Sequence, residues 1–271
     1  MGVTRGEYTN NVLTFYDTVM SAPRGTSPWE TFPMQAIEDP GTGFSIYDDF
    51  TYNNSVSTNL LWQIVKGTGG SITLSSSLSC GWISIPTAAS SNDYQCFFTQ
   101  EPTFQIQALS GYLGAWEIML NCTEANTNKA SWFAGFTSTT TTGFLQNSGV
   151  PPTSYSGAVI YKTEGTLNVN AQTSNGSTQH TSSSAITTET SGTSLILGMS
   201  INSNDGTTAV VTYYVSTVAS NLRSYVGSGT LNLTIASLSN MYFGFGVRAG
   251  SSSAETILVD YAQAAQGRYY Q

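Results

Sequence analysis

More than a dozen short segments of this chain carry strand-forming residues, and each is closed off by Gly, Ser, Asn or Thr. Ser71-Ile-Thr-Leu-Ser75 alternates strictly after the turn Lys66-Gly-Thr-Gly-Gly70. Trp116-Glu-Ile-Met-Leu-Asn-Cys122 places Trp116, Ile118, Leu120 and Cys122 on one face, with Glu117 opposite. Comparable runs are Leu60–Val65, Gly81–Ile85, Phe97-Phe98, Thr103–Gln107, Ser131–Phe136, Ala158–Tyr161 and Leu167–Asn170. Ser194–Ile201, Ala209–Val215, Leu231–Ile235, Met241–Val247 and Thr256–Tyr261 complete the series. None of these segments has a convincing helical period. Short strands at this spacing predict an all-β antiparallel sandwich of the jelly-roll type, and their irregular lengths argue against a closed barrel.

The end of the chain is ambiguous. Ile257, Val259 and Tyr261 alternate as one face of a closing strand, but Ala262-Gln-Ala-Ala-Gln-Gly-Arg268 is rich in Ala and Gln. The expectation is that this second half leaves the sheet, that Gly267 ends any short helical turn, and that the tail Tyr269-Tyr270-Gln271 meets a neighbour.

Residues 1–45 read differently from 46–271. They hold Pro23, Pro28, Pro33 and Pro40, half of the eight prolines, around one strand-like piece, Val12–Tyr16. Prolines and rings in this arrangement predict an extended arm, in front of a jelly-roll domain spanning 46–271. The residues expected to touch a partner surface or a neighbouring copy are Tyr8, Phe15, Tyr16, Trp29, Phe32 and Phe44 in the arm, with Tyr269 and Tyr270 in the tail. The bland alternative is a segment wrapped over its own domain.

Hydrophobic residues make up 39% of the 271, enough for a core, whereas charged residues are only 9%, well under the usual quarter. A polar but weakly charged surface suits a protein packed against other copies or another surface. The net charge of −8 argues against nucleic acid and against anionic membranes. Glu7, Asp17, Glu30, Glu38, Asp39, Asp48 and Asp49, set against Arg5 and Arg24, give the first fifty residues −5 of that charge. An acidic arm is drawn to a basic partner. No secretion signal and no membrane-length apolar run is visible, and Cys80, Cys96 and Cys122 fit free thiols in a reducing compartment. A pairing of Cys80 with Cys96 stays open.

Few residues promise chemistry. His180 is the one histidine, set in the Ser/Thr-rich stretch 174–193, which reads as a long exposed loop. It cannot make a multi-histidine metal site, and the cysteines lack zinc spacing. A glycosidase needs two facing carboxylates, yet Glu117 stands alone in its strand and Asp48-Asp49 point opposite ways. Asp48, Asp49 or Asp260 could serve Ca²⁺, but bonds to backbone amides explain the Asp pair more simply. Trp62, Trp82, Trp116 and Trp132 sit in strand-like runs and read as core before they read as sugar platforms. No catalytic residue, metal site or cofactor is implied.

Several segments, in order, resemble a known family. They are Asp48-Asp-Phe50, Trp116-Glu-Ile-Met-Leu120, Ser131-Trp-Phe-Ala-Gly-Phe-Thr-Ser138, Gly157-Ala-Val-Ile-Tyr-Lys162, Leu167-Asn-Val169, Leu195–Ile201, Val211–Val215 and Ile257–Arg268. Across about 46–268 the chain is similar to head-associated structural proteins of tailed bacteriophages with a concanavalin A-like jelly roll. The sharpest pieces are SWFAGF and VDYAQAAQGR. The resemblance implies a non-enzymatic decoration (cement) protein, made in the host cytoplasm and assembled on the capsid exterior. Its partner would be the major capsid protein, with self-association as a trimer ahead of a dimer, bridging capsid subunits by avidity. The alternative expectation is a lectin-like carbohydrate-binding module on a virion surface.

Overall fold

In the computed structural model the backbone is described for residues 4–9, 12–17, 28–29, 32, 37, 40–50, 61–74, 81–106, 110–203, 205–219, 222–235 and 238–267, with side chains left out over 4–17 and 217–228. A hairpin comes first, β1 (Thr4–Thr9) with β2 (Val12–Asp17), pairing Tyr8 with Leu13, Gly6 with Phe15 and Arg5 with Tyr16. Then follow β3 (Gly43–Asp48), β4 (Trp62–Lys66), β5 (Thr73–Leu74), β6 (Ile83–Pro86), β7 (Tyr94–Thr99), β8 (Tyr112–Thr123), β9 (Ala130–Thr137) and β10 (Ser156–Lys162). The remainder are β11 (Asn168–Asn175), β12 (Gln179–Thr181), β13 (Thr187–Thr188), β14 (Ser194–Ser203), β15 (Thr208–Ala219), β16 (Leu222–Thr234), β17 (Tyr242–Ala249) and β18 (Thr256–Gly267).

Two antiparallel sheets of eight strands face each other, as the strand spacing predicts. The front sheet runs β12-β11-β10-β9-β17-β7-β4, with β13 also on β11. The back sheet runs β16-β15-β14-β8-β18-β6-β5, with β3 also on β18. Period-two alternation explains the layer between them. Trp116, Ile118 and Leu120 of β8 point in from the back, and Trp132, Phe136, Phe243 and Phe245 point in from the front. Trp116 meets Phe243 across the gap at 6.2 Å, and Trp62 meets Phe245 at 5.2 Å. Trp62, Trp82, Trp116 and Trp132 are all buried, as expected of core rings.

The closing strand corrects the sequence expectation. β18 does not leave the sheet at Ala262 but runs on to Gly267, paired with β8 on one side and β3 on the other. The register shifts between Val259 and Tyr261, so Asp260 is the extra residue of a bulge. The bulge reverses the alternation. Ile257 and Val259 face the core, Tyr261 turns outward, and Ala262 and Ala264 take over the inward positions opposite Ile118 and Trp116. The alanines are small because bulky core residues stand beside them.

Two further expectations shift. The sheet is entered at Gly43, a little before residue 46, so Phe44 lies inside a strand. The Ser/Thr-rich stretch 174–193 contributes β12 and β13, and His180 is exposed on β12 opposite Thr173.

Candidate interaction surfaces and buried polar groups

Pro28, Trp29, Phe32 and Ile37 lie on the outer face of the back sheet. Phe32 is only 3% exposed and packs with Ala115 of β8 and Ala265 of β18. Trp29 meets Phe32 edge-on at 5.8 Å, and Ile37 and Leu113 flank the pair. Pro28 sits over Gly198 of β14 so closely that a Cβ there would collide with the Pro28 ring. Ser45 donates a hydrogen bond to the Ile37 carbonyl at 3.0 Å, and Phe44 meets Phe104 edge-on at 5.5 Å. Trp29, Phe32 and Phe44 therefore contact their own domain. Tyr8, Phe15 and Tyr16 belong to the β1–β2 hairpin, whose side chains lie outside the described residues, as do Tyr269 and Tyr270.

The front sheet is covered too, by residues 138–155. Phe144, Leu145 and Tyr155 close over Phe98, Phe133, Val159 and Tyr161. Phe144 lies 4.7 Å from Phe133 and 5.0 Å from Tyr155, ring centre to ring centre. Arg248 of β17 pins this flap. Its Nη1 donates to the carbonyls of Leu145 at 2.7 Å and Thr142 at 3.2 Å, its Nη2 donates to Asn147 Oδ1, and its guanidinium lies 5.4 Å from the Tyr94 ring centre. Thr142, Gly143 and Phe144 have φ of 49°, 72° and 70°, a left-handed run that costs energy at the two non-glycine residues. Sequence reasoning missed this flap; Gly244 and Gly246 of β17 make room beneath it for side chains of the neighbouring strand β7. A Cβ at Gly244 would collide with the Phe98 ring, and one at Gly246 would collide with Cys96 Sγ.

A buried polar cluster fills one end of the sandwich. Lys162 of β10, 0% exposed, donates to Glu124 Oε1 at 2.7 Å and to the Ala130 carbonyl at 2.7 Å. Glu124 also accepts the Asn128 and Ala130 amides, at 2.7 and 3.1 Å. Glu189 Oε2 stands 3.9 Å from Lys162 Nζ and accepts Trp132 Nε1–H at 2.8 Å. Glu255 Oε2 accepts the Ala125 amide at 2.8 Å. Burial pushes the carboxyls of Glu189 and Glu255 above the usual value, and it pushes up the Cys122 thiol as well.

Other acids act as struts. Asp48 accepts the Phe50 amide at 2.8 Å, the backbone role expected of it, and also accepts Trp62 Nε1–H at 2.8 Å. Asp93 accepts the amides of Thr68, Gly69 and Ala88 and so ties two turns together. Glu117 does point away from the core, yet it is 3% exposed and accepts the Tyr261 hydroxyl at 2.5 Å. Cys96 and Cys122 are buried free thiols, and Cys80 lies outside the described residues. Among the described residues no three His, Cys, Asp or Glu side chains converge as metal ligands, and no helix is long and apolar enough to cross a membrane.

No family model matches the chain, and no curated protein matches its sequence. Solved structures do match its shape. A protein of unknown function from Shewanella oneidensis MR-1 superposes with a TM-score of 0.55 at 15% identity, covering 85% of this chain and 90% of that one. Peanut lectin in complex with a nine-residue peptide gives 0.56 at 12% identity, over 84% of this chain and 99% of the lectin. A mutant form of the Emp46p carbohydrate recognition domain gives 0.52 at 10% identity, over 82% of this chain and 95% of that domain. The fold is the concanavalin A-like β-sandwich of the legume lectins. At these identities the likeness speaks for architecture alone.

Proposed function

We propose that this chain is a non-enzymatic binding protein that decorates and stabilises the exterior of a bacteriophage capsid. One observation carries the non-enzymatic part. The clustered ionisable groups Glu124, Lys162, Glu189, Glu255 and Arg248 are buried in struts that hold loops together, so they do not line an open cleft. A substrate needs its acid and base within reach. The phage assignment is supported by the SWFAGF and VDYAQAAQGR segments and by the charge-poor surface.

Attachment falls to the ends of the chain. Trp29, Phe32 and Phe44 are occupied by their own domain, so the β1–β2 hairpin with Tyr8, Phe15 and Tyr16, and the tail with Tyr269 and Tyr270, are the proposed contacts with the major capsid protein. Self-association, a trimer ahead of a dimer, would multiply a modest contact. The second reading is a lectin-like module on the virion surface, favoured by the fold shared with peanut lectin and the Emp46p carbohydrate recognition domain.

Titrating the purified chain onto heads assembled without it, beside a glycan array with and without added Ca²⁺, separates the readings. Saturable binding to heads with an array at background supports decoration. Specific glycan binding with no binding to heads overturns decoration in favour of the lectin.

A further inference from the structure

At one end of the sandwich Glu124 and Glu189 face the Lys162 ammonium, and Glu255 holds the Ala125 amide next to Glu124. Glu124 follows β8, Glu189 follows β13 and Glu255 precedes β18, so the groups come from three separate loops, and Lys162 ends β10. Glu124 is satisfied by Lys162 and two backbone amides. Glu189 and Glu255 are not. Each is at most 1% exposed and keeps its Oε1 buried with no hydrogen-bond partner among the described residues. Were all four groups ionised, the cluster would hold two uncompensated negative charges out of water, which a protein interior does not tolerate.

We propose that Glu189 and Glu255 each carry a proton in the folded chain, and that the cluster is a proton-loaded latch joining these loops, tightest in mild acid and loosened as pH rises. The groups facing Glu189 are Lys162 of β10, Trp132 of β9, Cys122 of β8 and Glu124. Those facing Glu255 are Glu124, Lys162 and the amides of Ala125 and Asn126. Desolvation is the leading cause at both carboxyls and raises them above 4.5. The sign follows from linkage. A carboxyl whose folded value is raised contributes its stability below the unfolded value and loses it as pH climbs through the folded value. The window therefore opens at about pH 4.5 and extends upward, and within it each raised carboxyl lets the unfolding constant climb by up to about tenfold per pH unit.

Thermal melting from about pH 5 to about pH 8 tests the latch. The melting temperature of the wild type should fall with pH more steeply than that of the Glu189→Gln/Glu255→Gln double variant, whose amides mimic neutral carboxyls. Groups outside the cluster are common to both chains and drop out of the difference. Parallel profiles overturn the proposal. If the variant does not fold, infrared spectra of the wild type decide, read as pH rises from about 5 to about 8. A protonated-carboxyl C=O stretch that outlasts the titration of the exposed carboxyls is expected, and its loss together with theirs overturns the latch.

Discussion

Gly198 lacks a side chain because of a residue far away in sequence. Pro28 occupies the space its Cβ would need, and the Trp116 carbonyl lies 2.8 Å from that same point. Gly198→Ala should destabilise the chain by about 1–3 kcal/mol through overpacking, read as a lower denaturant midpoint. Arg248 serves the opposite face. Arg248→Met would strand the carbonyls of Leu145 and Thr142, at a cost of about 1.5–3 kcal/mol for hydrogen bonds to a charged donor. Limited proteolysis should then cut within 138–155, whereas the wild type resists there. Much at this scale is legible in the sequence, because a core Trp declares itself by alternation within its own strand. The partners of Gly198, Gly244 and Arg248 are not legible, since each comes from a distant segment. Glu117 shows the boundary: its outward direction follows from its strand, but its burial depends on what covers that face.

At the scale of elements, β18 shows how alanine misleads. Ala-Gln composition suggests a helix by propensity, but Ala262 and Ala264 are small because Ile118 and Trp116 face the same layer. Ala264→Leu should therefore cost about 1–3 kcal/mol, whereas a helical tail would tolerate it, and chemical denaturation separates the two outcomes. Deleting Asp260 should be far less damaging than its place in the middle of a strand suggests. Val259, Tyr261 and Ala262 already face the consecutive β8 residues Leu120, Met119 and Ile118, so the shortened strand keeps Tyr261 outward and Ala262 inward in a regular ladder. Cooperative unfolding should be retained, and its loss in chemical denaturation would contradict this reading of the bulge. The long strands of the two sheets are legible because both their faces are constrained. β12 and β13 escape because short edge strands made of Gln, His and Thr bury too little to show a pattern.

The described residues form a two-sheet sandwich with part of each outer face covered by its own chain, Trp29, Phe32 and Ile37 behind and residues 138–155 in front. Partial cover of the sheet faces is consistent with the proposed attachment through the chain ends, in which the acidic first fifty residues would meet a basic surface. The fold class was legible from strand spacing alone. The covering segments were not, because proline- and threonine-rich stretches carry no period that tells a partner's surface from the chain's own. The central claim is that the hairpin of residues 4–17, rather than the segment after it, makes the attachment. The most direct test is the occupancy on assembled heads of a chain lacking residues 1–17, read beside its melting temperature. The account predicts an unchanged melting temperature with occupancy lost, whereas removing residues 1–40 would also uncover Ala115 and Ala265 and lower the melting temperature. Full occupancy by the chain lacking residues 1–17 would contradict it.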